Sequence, residues 1–384
     1  MMATATALRA WTRRWPAIAL VALCACAAPR GMESTPSGYS YPQADRLFHD
    51  DPRWLGGDDA GSIALSRGRI LWLFGDSFIA TSSAKTRASA SFVHNTIAIE
   101  TGDDPRTASM MFYWRQNDRG VPSSVFPDRE RHWYWPGGGI RIANGPLVVF
   151  LDDIVATEGH GLGFATDGYA VAVFDNPEEV PARWQPRIVK GIASHFDAVP
   201  GAAVVRDGDY VVALAIRQKG VHAGALVRYP ANALAKGDLS GAQWWMGEAR
   251  GWVGAARVKA TEPTYVIDDA GAECSLHWDA RLRTYVHLAS YGFGASAIGV
   301  RTAPALTGPW SAARITFRPP ESDTSHPFVY AGKAHPELTA PNRDALLVTY
   351  VANSFEPKNL LTAEGEKSLY WPHFAVVPVV EPQK

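Results

Sequence analysis

The sequence predicts an all-β fold, a five-bladed β-propeller of antiparallel sheets, on three observations. First, a tight turn containing Gly, Asn or Asp is followed at once by a strand-length apolar run five times over. The copies are SRGRILWLFGDS, IANGPLVVFLDD, RDGDYVVALAI, WDARLRTYVHLAS and PNRDALLVTYVANS. Their turns fall near residues 68, 145, 208, 280 and 343, a period of about 60–80 residues that reads as repeated sheets rather than βαβ units. Second, each copy is preceded by another β-like run, as in AAVVRDGDYVVALA, so each is a hairpin signal. Third, runs as continuously apolar as LVVFL and VVALAI need cover on both faces, which neighbouring blades supply. Helical periodicity is almost absent: the best stretch, Pro230 to Lys236, allows roughly two turns. A pair of β-sandwiches is the alternative architecture.

Taken in order, the chain begins with a segment that does not read as part of this fold. Arg9, Arg13 and Arg14 precede a short apolar core, Ala17 to Ala25, too short to span a bilayer. Leu23-Cys24-Ala25-Cys26 looks like a bacterial lipobox, which makes residues 1–25 a signal peptide and Cys26 the lipidated first residue. An ordinary Ala-x-Ala cleavage one or two residues later is the alternative. Residues 26–45 read as a flexible tether, leaving 46–384 as a single catalytic domain. An exported lipoprotein of the cell envelope, facing periplasm or cell surface, is expected, touching membrane through its anchor alone.

Without the signal, 34 basic residues stand against 38 acidic ones, and no long basic block appears, so nucleic acid is excluded as a partner. Cys274 is then a lone thiol, which rules out a disulfide within the chain and reads as a small hydrophobe. A monomer without cofactor or metal is expected.

The first hairpin carries the chemistry. GGDDAGSIALSRGRILWLFGDSF turns at Arg67-Gly68, so cross-strand partners sum to 134 or 135. Asp58 and Asp76 sum to 134 and should lie side by side, about 5 Å apart at Cβ if the pairing extends that far. Two carboxyls that close cannot both ionise comfortably, so one keeps its proton near neutral pH. A protonated acid beside a carboxylate is the equipment for cleaving a glycosidic bond: a gap of about 5 Å suits a nucleophile, and a wider gap leaves room for an activated water. The plainer reading is that each Asp caps a turn through its own backbone.

GGDDAGSIALSRGRILWLFGDSF, FVHNTIAIE, WYWPGGGIRI, AGKAHPELT and VTYVANSF resemble a bacterial family first catalogued as a domain of unknown function. Members look like five-bladed furanosidase-type propellers and include endo-D-arabinanases, which cut D-arabinofuranose chains. The resemblance runs from about Trp54 to Phe374, and its most specific part is GGD and FGDS at their eighteen-residue separation. It implies that Asp58 and Asp76 are the catalytic pair and that the partner is a carbohydrate polymer or oligosaccharide. Because the first element reads GGDD, Asp59 is an alternative to Asp58, and register favours Asp58.

Further candidates lie along the chain. Asn95, inside an apolar run, is either a sugar ligand or a satisfied core amide. Asp152 and Asp153 follow VVFL much as Asp76 follows WLF, and Asp153 is taken as the cleft residue. Trp133 and Trp135, beside PGGG, are candidate sugar platforms, with blade packing as the alternative; Trp244, Trp245 and Trp371 share that ambiguity. His335 and Glu337 lie two apart on one strand face; the resemblance places them in the sugar cleft near Tyr330 and Lys333. FGDS also resembles the first block of GDSL-type esterases, which would make Ser77, Asp323 and His326 a triad. Those enzymes need an α/β scaffold, and the stretch after Ser77 has no helical period. A non-catalytic, glycan- or partner-binding propeller is the third reading.

Overall fold

A computed structural model of the chain describes residues 37–379, apart from 67, 159–162, 193–195, 259–262, 293 and 324–326. Residues 1–25, read as a signal peptide, and Cys26 and His326 lie outside the described residues. Five antiparallel sheets of at least four strands follow one another along the chain. The first comprises Gly61–Ala64, Arg69–Phe74, Thr96–Thr101 and Ser109–Tyr113. The second comprises His132–Arg141, Leu147–Ala156, Phe164–Phe174 and Arg187–Lys190. The third runs through Ala198–Asp207, Tyr210–Arg217, Gly224–Pro230 and Gln243–Trp245, extended by Trp252–Gly254 and Tyr265–Ile267. The fourth comprises Cys274–Asp279, Thr284–Tyr291, Ala297–Ala303 and Arg314–Phe317. The fifth takes Pro327–Ala334, Ala345–Ser354 and Pro372–Pro378 from the end of the chain, and Tyr39–Ser40 from its beginning.

All five predicted turns join the first and second strands of successive sheets. The first strands of consecutive sheets pack against each other from the first sheet to the fifth. Ser62 and His335 then bridge the first and fifth sheets and close the ring. This is the five-bladed propeller that the repeats predict, and it excludes the sandwich pair. Closure corrects one boundary: Tyr39 pairs with Val376 and Ser40 with Ala375, so the last residues of the expected tether belong to the folded domain. The short helix Ala231–Leu234 falls where the single helical stretch was read. Among the described residues no helix is long and apolar enough to cross a membrane.

The continuous apolar runs have the two-sided burial expected of them. In the second blade Leu147, Val149 and Leu151 pack toward Leu71 and Leu73 of the first blade. Their alternates Val148 and Phe150 pack toward Val211 and Ala213 of the third. Each such side chain, buried completely, contributes about 1.5–3 kcal/mol relative to exposure. Truncating Phe150 to Ala would therefore destabilise the second and third blades by about 3–5 kcal/mol.

The innermost strands are not regular. Register shifts interrupt the second blade between Pro136 and Gly139, the third between Pro200 and Ala203, and the fifth between Tyr330 and Lys333. Bulges of this kind re-aim side chains at the ends of sheets. At the first of them Gly137 lies against the backbone of the third blade: a Cβ there would sit 2.5 Å from the Gly201 carbonyl oxygen. Two of these breaks lie beside Trp135 of the second blade and Tyr330 and Lys333 of the fifth.

Candidate active site

Asp58 lies between the short strand Trp54–Gly57 and the first inner strand, and Asp76 follows the second strand of the same blade. The pairing around them keeps the sum predicted from the sequence: Gly61 pairs with Leu73 on one side and Gly57 with Ser77 on the other. Between those pairs the Asp58 N–H donates to the Asp76 carbonyl at 3.2 Å, and the Gly75 N–H donates to the Asp58 carbonyl at 3.0 Å. Gly75 is required by this approach, because a Cβ there would sit 2.5 Å from Asp58 Oδ1.

The two carboxyls have different surroundings. Asp58 Oδ2 accepts the hydroxyls of Tyr330 at 2.7 Å and Tyr370 at 3.0 Å. Burial, with the neighbouring charge of Asp76 second, raises the Asp58 carboxyl to about 8. Asp76 Oδ1 accepts Trp135 Nε1–H at 2.9 Å and His94 Nδ1–H at 3.0 Å. Both N–H donors fall on Oδ1 and leave Oδ2 free of them. Burial pulls the His94 imidazole down, but its hydrogen bond to Asp76 and the Asp76 charge raise it overall. The ring of His94 stacks on Trp133 at 4.5 Å, and Trp135 meets Phe164 edge-on at 4.7 Å, so an aromatic wall stands beside Asp76.

A second layer of charge lies beneath the pair. Asp59 and Ala60 take left-handed backbone angles, φ +70° and +42°, which turn Asp59 away from Asp58 and onto the Lys333 ammonium. Burial works against the Lys333 charge, but Asp59 and Glu273 hold it above its ordinary value. Burial and Asp59 raise Asp152 to about 7, and the same two causes hold Glu273 well above the carboxylate range. The site is therefore rich in acids, and Lys333 is its balancing cation. A cavity of about 430 Å³, lined in part by Phe328, Asn353, Asn359 and Glu364, opens nearby. Asn353 connects the two by donating to the Tyr330 hydroxyl at 3.4 Å.

Of the candidates named from sequence, Asp58, Asp76, Trp133, Trp135 and Tyr330 meet at this site. Lys333 enters as the counter-charge of Asp59, itself almost fully buried, rather than as a sugar contact. Four candidates are corrected. Asn95 is a core amide, donating to the carbonyls of Phe126 and Tyr134 and accepting the Phe126 N–H. His335 is buried between Ser62 and Thr349, and burial lowers it to about 3, so it is a neutral core imidazole. Glu337 is half-buried, its carboxyl against Ser62 on the same seam. Asp153 faces away, accepting Arg129 through both oxygens at 2.8 Å and His132 at 3.0 Å, while Asp152 takes the inward position.

Of the residues in the esterase reading, Ser77 is committed elsewhere, and His326 lies outside the described residues. Ser77 is buried, its hydroxyl donating to the Gly75 carbonyl and bonded to Thr96. Trp244 and Trp371 are core residues, and Trp245 packs on Trp252. Cys274 is buried, and burial pushes its thiol up to about 12. His132, Asp153 and Asp167 lie close enough to share a metal ion, but Arg129 already supplies the positive charge at Asp153.

Sequence reading missed His94, Tyr370 and Glu273. His94 was within reach: it neighbours Asn95 in the link between the strands Ser91–Val93 and Thr96–Thr101, where His94 meets Asp76 and Asn95 meets Phe126 and Tyr134.

The family model described as a domain of unknown function, DUF5005, matches residues 42–378. No curated protein matches the sequence. A Bacteroides ovatus protein of known structure, provisionally described as a hydrolase, is 18% identical, with a TM-score of 0.67 over 88% of this chain and 90% of its own. The catalytic domain of a Coprinopsis cinerea GH62 α-L-arabinofuranosidase is 12% identical, with a TM-score of 0.47 over 91% of this chain and 98% of its own. An exo-β-1,3-galactanase from Phanerochaete chrysosporium is 14% identical, with a TM-score of 0.48 over 90% of this chain and 64% of its own. At these identities the similarity is one of fold.

Proposed function

The chain belongs to the DUF5005 family, and on that premise we propose that it is a glycoside hydrolase acting on a furanose-containing glycan, within chains of the D-arabinan type. The observation that carries the reading is the unequal setting of two adjacent aspartates. Asp58, raised to about 8 by burial and the Asp76 charge, holds a proton at neutral pH, while Asp76 Oδ1 takes the Trp135 and His94 N–H donors. Asp58 gives its proton to the glycosidic oxygen as the bond to the anomeric carbon breaks. Asp76 Oδ2 either attacks that carbon or takes a proton from the water that does. As Asp58 becomes charged, the hydroxyls of Tyr330 and Tyr370 stabilise it.

Two further features support this reading. Aromatic faces at Trp133 and Trp135 suit the C–H surface of a sugar. The crowd of acids around a single lysine favours a neutral glycan over an anionic one. The D-arabinan assignment rests on the sequence resemblance.

The test incubates the full-length protein, as wild type and as Asp76→Asn, with D-arabinan and separately with L-arabinan, and separates the released oligosaccharides. Fragments from D-arabinan with wild type alone are expected. Fragments from L-arabinan instead would reverse the sugar series. None from either would remove the hydrolase assignment in favour of a binding platform.

A further inference from the structure

Among the described residues Arg87 is the one arginine in the set of largest fully buried side chains, 1% exposed, and its guanidinium bonds to backbone carbonyls. A buried charge is costly unless it is well satisfied, so where those bonds go is informative. Nε donates to Leu55 at 2.8 Å, Nη1 to Leu360 at 3.3 Å and Gly365 at 3.2 Å, and Nη2 to Leu369 at 2.6 Å. Leu55 stands three residues before Asp58, and Leu369 immediately precedes Tyr370. Leu360 and Gly365 belong to the two short helices Pro357–Leu361 and Gly365–Ser368 that lead into Tyr370. The rings of Phe78 and Trp371 lie 5.5 and 5.6 Å from the guanidinium carbon.

Tyr370 needs such a hold. Its φ is +63°, left-handed for a residue with a bulky side chain, and its N–H donates to Ala352 at 2.7 Å. Opposite it, Gly56 sits at φ +108°, where a Cβ would come within 2.8 Å of Arg87 Nη2 and press into the Tyr370 carbonyl. The segment bearing the acid and the segment bearing its hydroxyl donor are thus packed backbone to backbone, with one guanidinium bonded to both.

We propose that Arg87 is a positioning residue of the active site, joining the Leu55 and Leu369 backbones so that the Tyr370 hydroxyl stays on Asp58 Oδ2. The inference deepens the proposed function but does not depend on it, because its first consequence is the proton affinity of Asp58. The groups facing Asp58 are Asp76, Asp59, Glu273, Tyr330 and Tyr370; Tyr370 is the one that Arg87 controls. Lysine is a point charge and cannot serve four carbonyls as the planar fork does. In Arg87→Lys, Tyr370 relaxes and the Asp58 carboxylate loses one donor.

The test is the titration of the Asp58 side-chain carbon in the full-length protein labelled at aspartate, assigned by its absence in Asp58→Asn. Losing one hydrogen bond should move the midpoint about half to one pH unit higher in Tyr370→Phe. Arg87→Lys should match it, and the double variant should go no further. A folded Arg87→Lys protein that titrates as wild type does, or a double variant whose shift is the sum of the two, would overturn the proposal. If Arg87→Lys does not fold, Glu366→Ala removes the acceptor of the Arg87 N–H, which lies at 2.7 Å. A smaller rise is expected there, and no rise overturns the proposal. The titration needs no substrate, so a protein inactive on every glycan leaves this result readable.

Discussion

The first and second blades carry the same pattern, an apolar strand ending in acid, and use it differently. In the first blade the strand stops at Phe74, the chain turns at Gly75, and Asp76 is left at the crossing into Ser77–Ile79 with Asp58 beside it. In the second, the strand runs on to Ala156, so Asp152 and Asp153 fall within it on opposite faces. Asp152 looks inward toward Asp59 and Lys333, and Asp153 looks outward to Arg129 and His132. The surroundings of a strand-end acid are therefore set by what its partner strand places opposite it. In the first blade that is another aspartate; in the second, Asp152 stands opposite Trp135.

The sharpest way to break this comparison is to remove each acid in turn. Asp76→Asn and Asp58→Asn should each lower hydrolysis by about 10³-fold or more, with circular dichroism unchanged. Asp153→Asn should leave the rate within about threefold and lower stability by about 1–2 kcal/mol in urea unfolding. Equal rate losses at Asp76 and Asp153 would mean the two blades are not distinguished as described. A smaller loss, about tenfold in kcat, is expected for Trp135→Phe, which keeps the ring and removes the N–H donor to Asp76. Steady-state rates against Trp133→Phe, a ring whose N–H is not on Asp76, separate donor from platform.

Stability offers a further test. Asp58 is raised in the folded protein from an unfolded value near 4 to about 8. Between those values the folded state binds the extra proton, so Asp58 lowers stability progressively as pH rises and fully above about 8. Asp58→Asn should then melt at least about 2 °C above wild type at pH 9, and this advantage should disappear near pH 4. No gain at pH 9 would place the raised proton affinity elsewhere.

Much of this was open to sequence reasoning, because local rules govern it. The five turns, the two-sided apolar strands and the sum of 134 follow from spacing alone, and all appear in the structure. What failed was phase. Choosing Asp153 over Asp152 is a slip of one residue, and one residue flips a strand side chain to the other face; choosing Asn95 over His94 is also a slip of one residue, in a link between two strands where no alternation applies. The bulges on the inner strands, such as that between Pro136 and Gly139, reset phase where no alternation announces it. Tyr370 lies 312 residues from the acid it touches, and no local pattern joins them. The closing strand Tyr39–Ser40 has two residues, too few to show a period, and so it read as tether.

The most direct test of the central claim is the pH dependence of glycan cleavage by the full-length protein, wild type beside Asp58→Asn. The account predicts that wild-type kcat/KM falls as pH rises through about 8, as Asp58 loses its proton, and that Asp58→Asn shows no comparable activity at any pH. Cleavage that continues to rise through pH 9, or that survives in Asp58→Asn, would contradict the assignment of Asp58 as the acid.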